Sequence, residues 1–155
     1  MQQTATNNAS TGDVTLTTNA VDLTTKYGWY IDLPVTGERI VTNPALGQGV
    51  LAFTTNIPSG TDPCLPGGAS KIYTVNYSTG GYIATSTSQT SGVAGKSLGN
   101  TLASRVQLIK LPASGNGNVV GLVRQSDATT TVTTMPGLPT TVSGRRKSWR
   151  EINVQ

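Results

Sequence analysis

Residues 70–86 read SKIYTVNYSTGGYIATS, and the fold class turns on that run. Ile72, Thr74 and Asn76 alternate with Tyr73, Val75 and Tyr77, the period of two that sends successive side chains to opposite faces of a strand. The alternation stops at Ser78-Thr79-Gly80-Gly81 and resumes at Tyr82. That predicts a hairpin with a Gly-rich turn, and Tyr73, Val75 and Tyr77 on one face.

Working outward, GVLAFTTNI at 49–57 reads as a buried strand. Before it, GWYIDLP at 28–34 is a short strand closed by Pro34, TGE at 36–38 a turn, and RIVTNP at 39–44 an extended run. Between the two central strands lies PSGTDPCLPGG, whose three Pro and three Gly dictate a loop. QTSGVAGKSLGNTLASR, 89–105, shows little periodicity and reads as a second long loop, with KSLGNTLAS as a weak helix interrupted by Gly99 the other reading. RVQLIKL, GNVVGLVRQS and TTTVTTM supply three further strands. In the N-terminal region, DVTLTTNAVDL alternates enough for one edge strand and the first dozen residues read as loop. The chain thus divides into a polar connecting segment, 1–26, and a β portion, 27–155.

Composition agrees with an all-β reading. Of 155 residues only 35% are hydrophobic, which limits the core, and 12% are charged, too few to keep a chain expanded. Abundant β-branched Thr and Val favour extended backbone. The formal charge is +4, and its cations gather at Arg145, Arg146, Lys147 and Arg150, beside Trp149. Such a cluster is a candidate partner-binding element, or a terminal strand alternating Trp149 and Glu151 with Arg150 and Ile152. Four charges with one Trp are too weak a pattern for nucleic acid. No apolar run of 18 residues is present to span a membrane as a helix.

The chain contains no His, which removes Ser-His-Asp and Cys-His catalysis and His-ligated zinc. Asp32 and Glu38 form a conceivable carboxylate pair, but Pro34 and a turn separate them and nothing else suggests a sugar cleft. Cys64 is the one cysteine, so it has no partner in this chain, and no basic neighbour activates it. Seven acidic residues, scattered, offer no oxygen cage for calcium. The reading is non-catalytic and cofactor-free, with Glu38 and Arg39 as a surface pair or a clamp on loop backbone. Trp29 and Tyr30 point to opposite faces, and one of them enters the core.

An apolar strand ending near Asn43-Pro44-Ala45-Leu46, then Val50–Thr55, Lys71–Tyr77 and, after the turn, Tyr82–Ser86 have the order of a four-stranded propeller blade of the quinoprotein-like kind, with a plain β-meander or sandwich sheet as the other reading of the same strands. GWYIDLPVTGERIVTNPALGQGVLAFTTNIPSGTDPC, GGASKIYTVNYSTGG and the closing GRRKSWREI resemble the C-terminal region of PilC/PilY-type type IV pilus tip-associated biogenesis proteins and adhesins. The resemblance runs from about Val21 to Ile152. Its motif residues here are Gly28, Trp29, Gly37, Glu38, Arg39, Pro44, Pro58, Asp62 and Cys64.

That resemblance implies the last blade or blades of a propeller in an exported protein at the bacterial surface, outer membrane or pilus tip. It also implies minor pilins or pilus machinery as partners, and attachment to host or abiotic surfaces. The family's calcium loop is not found, so calcium would belong upstream of Met1. Where the family carries an aromatic after its Gly-Gly, this chain has Ala69-Ser70-Lys71. Two other readings of the residues remain open: a lectin-like surface module acting alone, and the remnant of a quinone-dependent dehydrogenase.

Overall fold

The computed structural model describes residues 1–47, 49–59, 67–84, 91–111 and 119–135. Among them the chain is all-β, with eleven strands and no helix. Strands β5 (Ala45–Gly47), β6 (Val50–Pro58), β7 (Gly68–Asn76) and β8 (Ser91–Ser97) form an antiparallel meander. Beyond β8 the sheet continues through β3 (Val14–Thr17) and β2 (Ala5–Asn7), giving six strands in the order β2-β3-β8-β7-β6-β5. A separate three-stranded antiparallel sheet joins β9 (Gln107–Lys110), β10 (Val119–Arg124) and β11 (Thr130–Thr134) in the order β11-β10-β9. β1 (Gln2–Gln3) pairs in parallel with β4 (Tyr30–Ile31). The described strands form no closed propeller.

The core explains why β6 and β7 are long. They pair over nine residues, from Val50 opposite Asn76 to Pro58 opposite Gly68. Residues 52–56 and 70–75 are buried at every position, because both faces of this hairpin are covered. On one face Val50, Ala52 and Ile72 pack with Ala103, Val106, Val123 and Met135, most of them from the three-stranded sheet and its approach. On the other, Phe53, Tyr73 and Val75 pack with Val14, Leu16 and Ala94, and Trp29, Ile31, Leu33 and Tyr82 close over them. Phe53 and Tyr73 are opposite each other in the ladder and stack with centroids 5.1 Å apart. Such directly paired aromatics stabilise a sheet by roughly 0.5–1 kcal/mol beyond their burial.

Three readings of the sequence are corrected. The first dozen residues are not all loop: they carry β1 and β2, and Gln3 is fully buried. Its side-chain amide donates to the carbonyls of Asn19 and Thr79 and accepts from Thr17 and the Asn19 N–H, so the buried polar group is satisfied at both ends. The 13–23 strand is not at an edge either. It is β3, four residues long, lying between β2 and β8 with Val14 and Leu16 wholly buried.

The third correction concerns the partner of β7. After the Gly80-Gly81 turn, Tyr82–Ala84 forms no strand, and β8 pairs with β7 instead. β8 lies inside the stretch read as loop because it is built of small residues. A Cβ on Gly95 would stand 2.8 Å from the Tyr73 ring and 2.9 Å from Val14 Cβ, and one on Gly92 would stand 2.4 Å from the Tyr82 ring. Large aromatics fill the space over those glycines, so the strand carries no hydrophobic period of its own. The bulge between Val14 and Thr15 falls at this same junction.

Candidate functional site

Val35–Glu38 is a tight turn: the Glu38 N–H donates to the Val35 carbonyl at 3.0 Å, and Gly37 takes φ +79°. That backbone sign, third in the turn, is the reason for Gly here. Directly after the turn Arg39 exchanges both backbone hydrogen bonds with Asn56 of β6, at 3.0 and 2.9 Å. Anchored in this way, the two side chains separate. Arg39 is exposed and its Nε donates to the Gly37 carbonyl, whereas the Glu38 carboxylate is completely buried.

Glu38 reaches the face of β6 and β7 that carries Thr55, Lys71 and Tyr73. Its Oε1 accepts from Thr55 Oγ1 at 2.7 Å and from the Tyr73 hydroxyl at 2.8 Å. Its Oε2 faces Lys71 Nζ at 3.7 Å and accepts no hydrogen bond from a described residue. Lys71 is 4% exposed, and its Nζ donates to Asn7 Oδ1 on β2 at 2.7 Å. Burial, then the neighbouring Glu38 charge and its hydrogen bond, push the Tyr73 phenol far above its ordinary range. It stays a neutral donor. Thr55 and Lys71 are opposite each other in the ladder and Tyr73 is two residues on, so all three project to one face.

At the rim of the same sheet, Asp13 receives Lys96 Nζ at 2.8 Å and the Ser97 N–H at 3.0 Å. Burial raises its carboxyl pKa, but the Lys96 and Ser97 hydrogen bonds outweigh that, and the net position is below the usual carboxylate value.

Trp29 does different work. Its ring lies on Gly80, where an added Cβ would come within 2.2 Å of the indole, and its Nε1 donates to the Tyr77 carbonyl at 2.9 Å. The GWY segment and the STGG turn are thereby one packed unit, while Tyr30 stands 53% exposed beside it. Gly28, Pro44 and Pro58 are backbone positions: Gly28 precedes β4, Pro44 is exposed before β5, and Pro58 ends β6 opposite Gly68. Asp32 is exposed and accepts from Gln2, so it is not brought together with the buried Glu38. Asp62, Cys64, Arg145, Arg146, Trp149 and Arg150 lie outside the described residues.

An open groove of about 460 Å³ runs beside the three-stranded sheet, with Leu102, Ser104, Arg105, Arg124 and Ser126 among its walls. Among the described residues no group of three or more His, Cys, Asp or Glu side chains gathers as metal ligands, and no helix is long and apolar enough to cross a membrane. What sequence reasoning missed is the Lys71–Asn7 contact, since Asn7 falls in the stretch read as loop.

Comparison with known proteins adds one similarity. No family model matches the chain, and no solved structure matches it. A stretch of 61 residues, 36% of this chain, is 36% identical to part of a protein described as a type IV pilus biogenesis factor PilY1 homolog from Xylella fastidiosa (strain Temecula1 / ATCC 700964). The matched stretch covers 4% of that protein's length.

Proposed function

We propose that this chain is a non-catalytic β module of a type IV pilus biogenesis factor, exported with it to the bacterial surface or pilus tip. It serves there as a scaffold on which minor pilins or pilus machinery dock, and the whole protein also attaches to host or abiotic surfaces. The observation that carries this reading is the 61-residue similarity to the PilY1 homolog. The meander β5–β8 is consistent with it, since four antiparallel strands in sequence order are the unit from which a propeller blade is made. The Glu38 carboxylate is buried among internal partners and lines no cleft, so it is not placed to act on a bound substrate, which fits a scaffold. Arg145, Arg146, Trp149 and Arg150 are the residue types most often found as binding anchors.

The test is surface piliation and twitching in cells whose pilus factor lacks this region, alongside Trp149→Ala and Arg150→Ala variants. Loss of pili on deletion, with reduced piliation in the point variants at normal protein level, is the expected result. Normal piliation in every strain would sink the assembly role.

A further inference from the structure

Lys71, Asn7 and Glu38 are a set in which a buried ion pair leaves part of its hydrogen-bonding capacity unused. An ammonium has three donors, yet among the described residues Lys71 gives one hydrogen bond, to Asn7 Oδ1 at 2.7 Å. Glu38 Oε2, at 3.7 Å, stands beyond hydrogen-bond reach and is itself unpartnered. Both side chains are buried, at 4% and 0% exposure. Glu38 is also oriented: Thr55 and Tyr73 hold Oε1, which leaves Oε2 to the lysine. A primary amine, a carboxamide one bond from the atom it touches and a fixed carboxylate therefore converge, with the amine and the carboxylate buried and Asn7 half-buried on β2.

From this convergence we propose that Lys71 and Asn7 join in a self-catalysed isopeptide bond, with Glu38 as the proton carrier. Glu38 Oε2 closes the 3.7 Å that separates it from Lys71 Nζ to hydrogen-bond distance and takes a proton from the ammonium, and the freed amine attacks Asn7 Cγ. The new Nζ–Cγ bond forms as the Cγ–Nδ2 bond breaks. The proton held by Glu38 and the second proton shed by Nζ go to the departing nitrogen, which leaves as ammonium, and Glu38 is a carboxylate again. Reactants and products carry the same total charge, and nothing is oxidised or reduced. A carboxylate that is buried and held in place by Thr55 and Tyr73 is suited to such proton transfer.

The bond would tie β2 to β7 across the two strands between them, β3 and β8, and close a loop between positions 64 residues apart. The N-terminal strands could then not be peeled from the sheet by tension. This inference stands on the Lys71, Asn7 and Glu38 geometry alone and holds whether or not the pilus reading does.

The test is tandem mass spectrometry of tryptic peptides from the whole protein carrying this chain, digested under denaturing conditions. The expected result is a branched peptide joining the Asn7 and Lys71 segments, about 17 Da below the sum of its linear parts for the ammonia lost. Trypsin should fail to cut at Lys71. Lys71→Met and Glu38→Gln proteins should contain only linear peptides. Linear peptides alone from the unsubstituted protein would overturn the proposal, whatever the variants do. So would a loss of about 18 Da joining Lys71 to Glu38, which marks condensation with the carboxylate.

Discussion

The Tyr73 hydroxyl donates to Glu38 Oε1 at 2.8 Å, and this bond fastens the Gly37–Glu38 turn to the centre of the six-stranded sheet. Thr55 donates to the same oxygen. Removing the carboxylate leaves two buried hydroxyls without an acceptor, at about 1–3 kcal/mol each. Both substitutions remove the carboxylate that the Lys71–Asn7 bond requires, so the two are compared with each other: Glu38→Ala is expected to be about 1–3 kcal/mol less stable than Glu38→Gln, whose carbonyl still accepts. Urea denaturation measures both. Equal losses would show that the acceptor oxygen is not what matters.

Tyr73 also sets an alkaline limit. Its folded pKa is raised, by burial first and then by Glu38, so its contribution is fully present below the unfolded phenol's value of about 10. Above that pH the unfolded chain gains by ionising while the folded chain does not, and stability falls. Tyr73→Phe lowers stability at neutral pH and flattens this decline. Unfolding free energy followed from pH 8 to pH 11, about two units below to one above that value, tests it, and an unchanged slope in the variant would assign the decline elsewhere.

Asp13 works in the opposite direction. Although burial opposes it, the hydrogen bonds from Lys96 and Ser97 hold the folded carboxyl below its ordinary value of about 3.9. Its stabilising contribution is present above that value and is lost as pH falls through the lower folded one. Asp13→Asn should remove this part of the acid dependence while leaving the profile near neutrality parallel to that of the original protein. Thermal melts across the acid range measure it, and an unchanged acid profile would count against it.

The seven strands β3, β4, β6, β7, β9, β10 and β11 were legible because each carries β-branched or aromatic residues within a stretch that reads as a strand. β8 was not: Gly92, Ala94 and Gly95 are small in order to receive Tyr82, Tyr73 and Val14, and a strand that accepts its neighbours' side chains shows no period of its own. β1 and β2 were missed for a related reason, being two and three residues long and mostly polar. The inward course of Glu38 was hidden as well. Local sequence places a Glu after a Gly in a turn at the surface, and the group that draws it inward, Tyr73, is 35 residues away. The turn itself was legible from Gly37, and its backbone sign bears that out.

Turn glycines separate backbone strain from steric clash. Gly37 and Gly80 both have positive φ, at +79° and +71°, but a Cβ on Gly37 meets nothing within 4 Å while one on Gly80 strikes the Trp29 ring. Gly37→Ala should cost about 1–2 kcal/mol, the strain of a left-handed alanine. Gly80→Ala should cost about 1–3 kcal/mol more, for the overpacking that displaces the indole. It should also shift Trp29 emission to the red as the ring loses cover. Equal costs with unchanged fluorescence would mean that the ring has room to move.

The Asn56 side-chain amide ties the six-stranded sheet to the segment that leads into the three-stranded one. Asn56 Nδ2 donates to the Ala103 carbonyl at 3.0 Å, and the Ala103 N–H donates to Asn56 Oδ1 at 2.7 Å, both in buried surroundings. Thr54 adds a bond from its hydroxyl to the Ser104 carbonyl at 2.8 Å. These contacts hold segment 103–104, which leads into β9, against β6, where Ala103 and Val106 join Val50, Ala52 and Ile72 in the core. Asn56→Ala strips a buried N–H and a buried carbonyl of their partner, at about 1–3 kcal/mol for each group. Because the loss falls at the junction and not inside either ladder, amide exchange should accelerate in β9–β11 more than in β6–β8. Hydrogen exchange with mass spectrometry resolves the two sheets by peptide, and a uniform rise in both would show that they open as one cooperative unit.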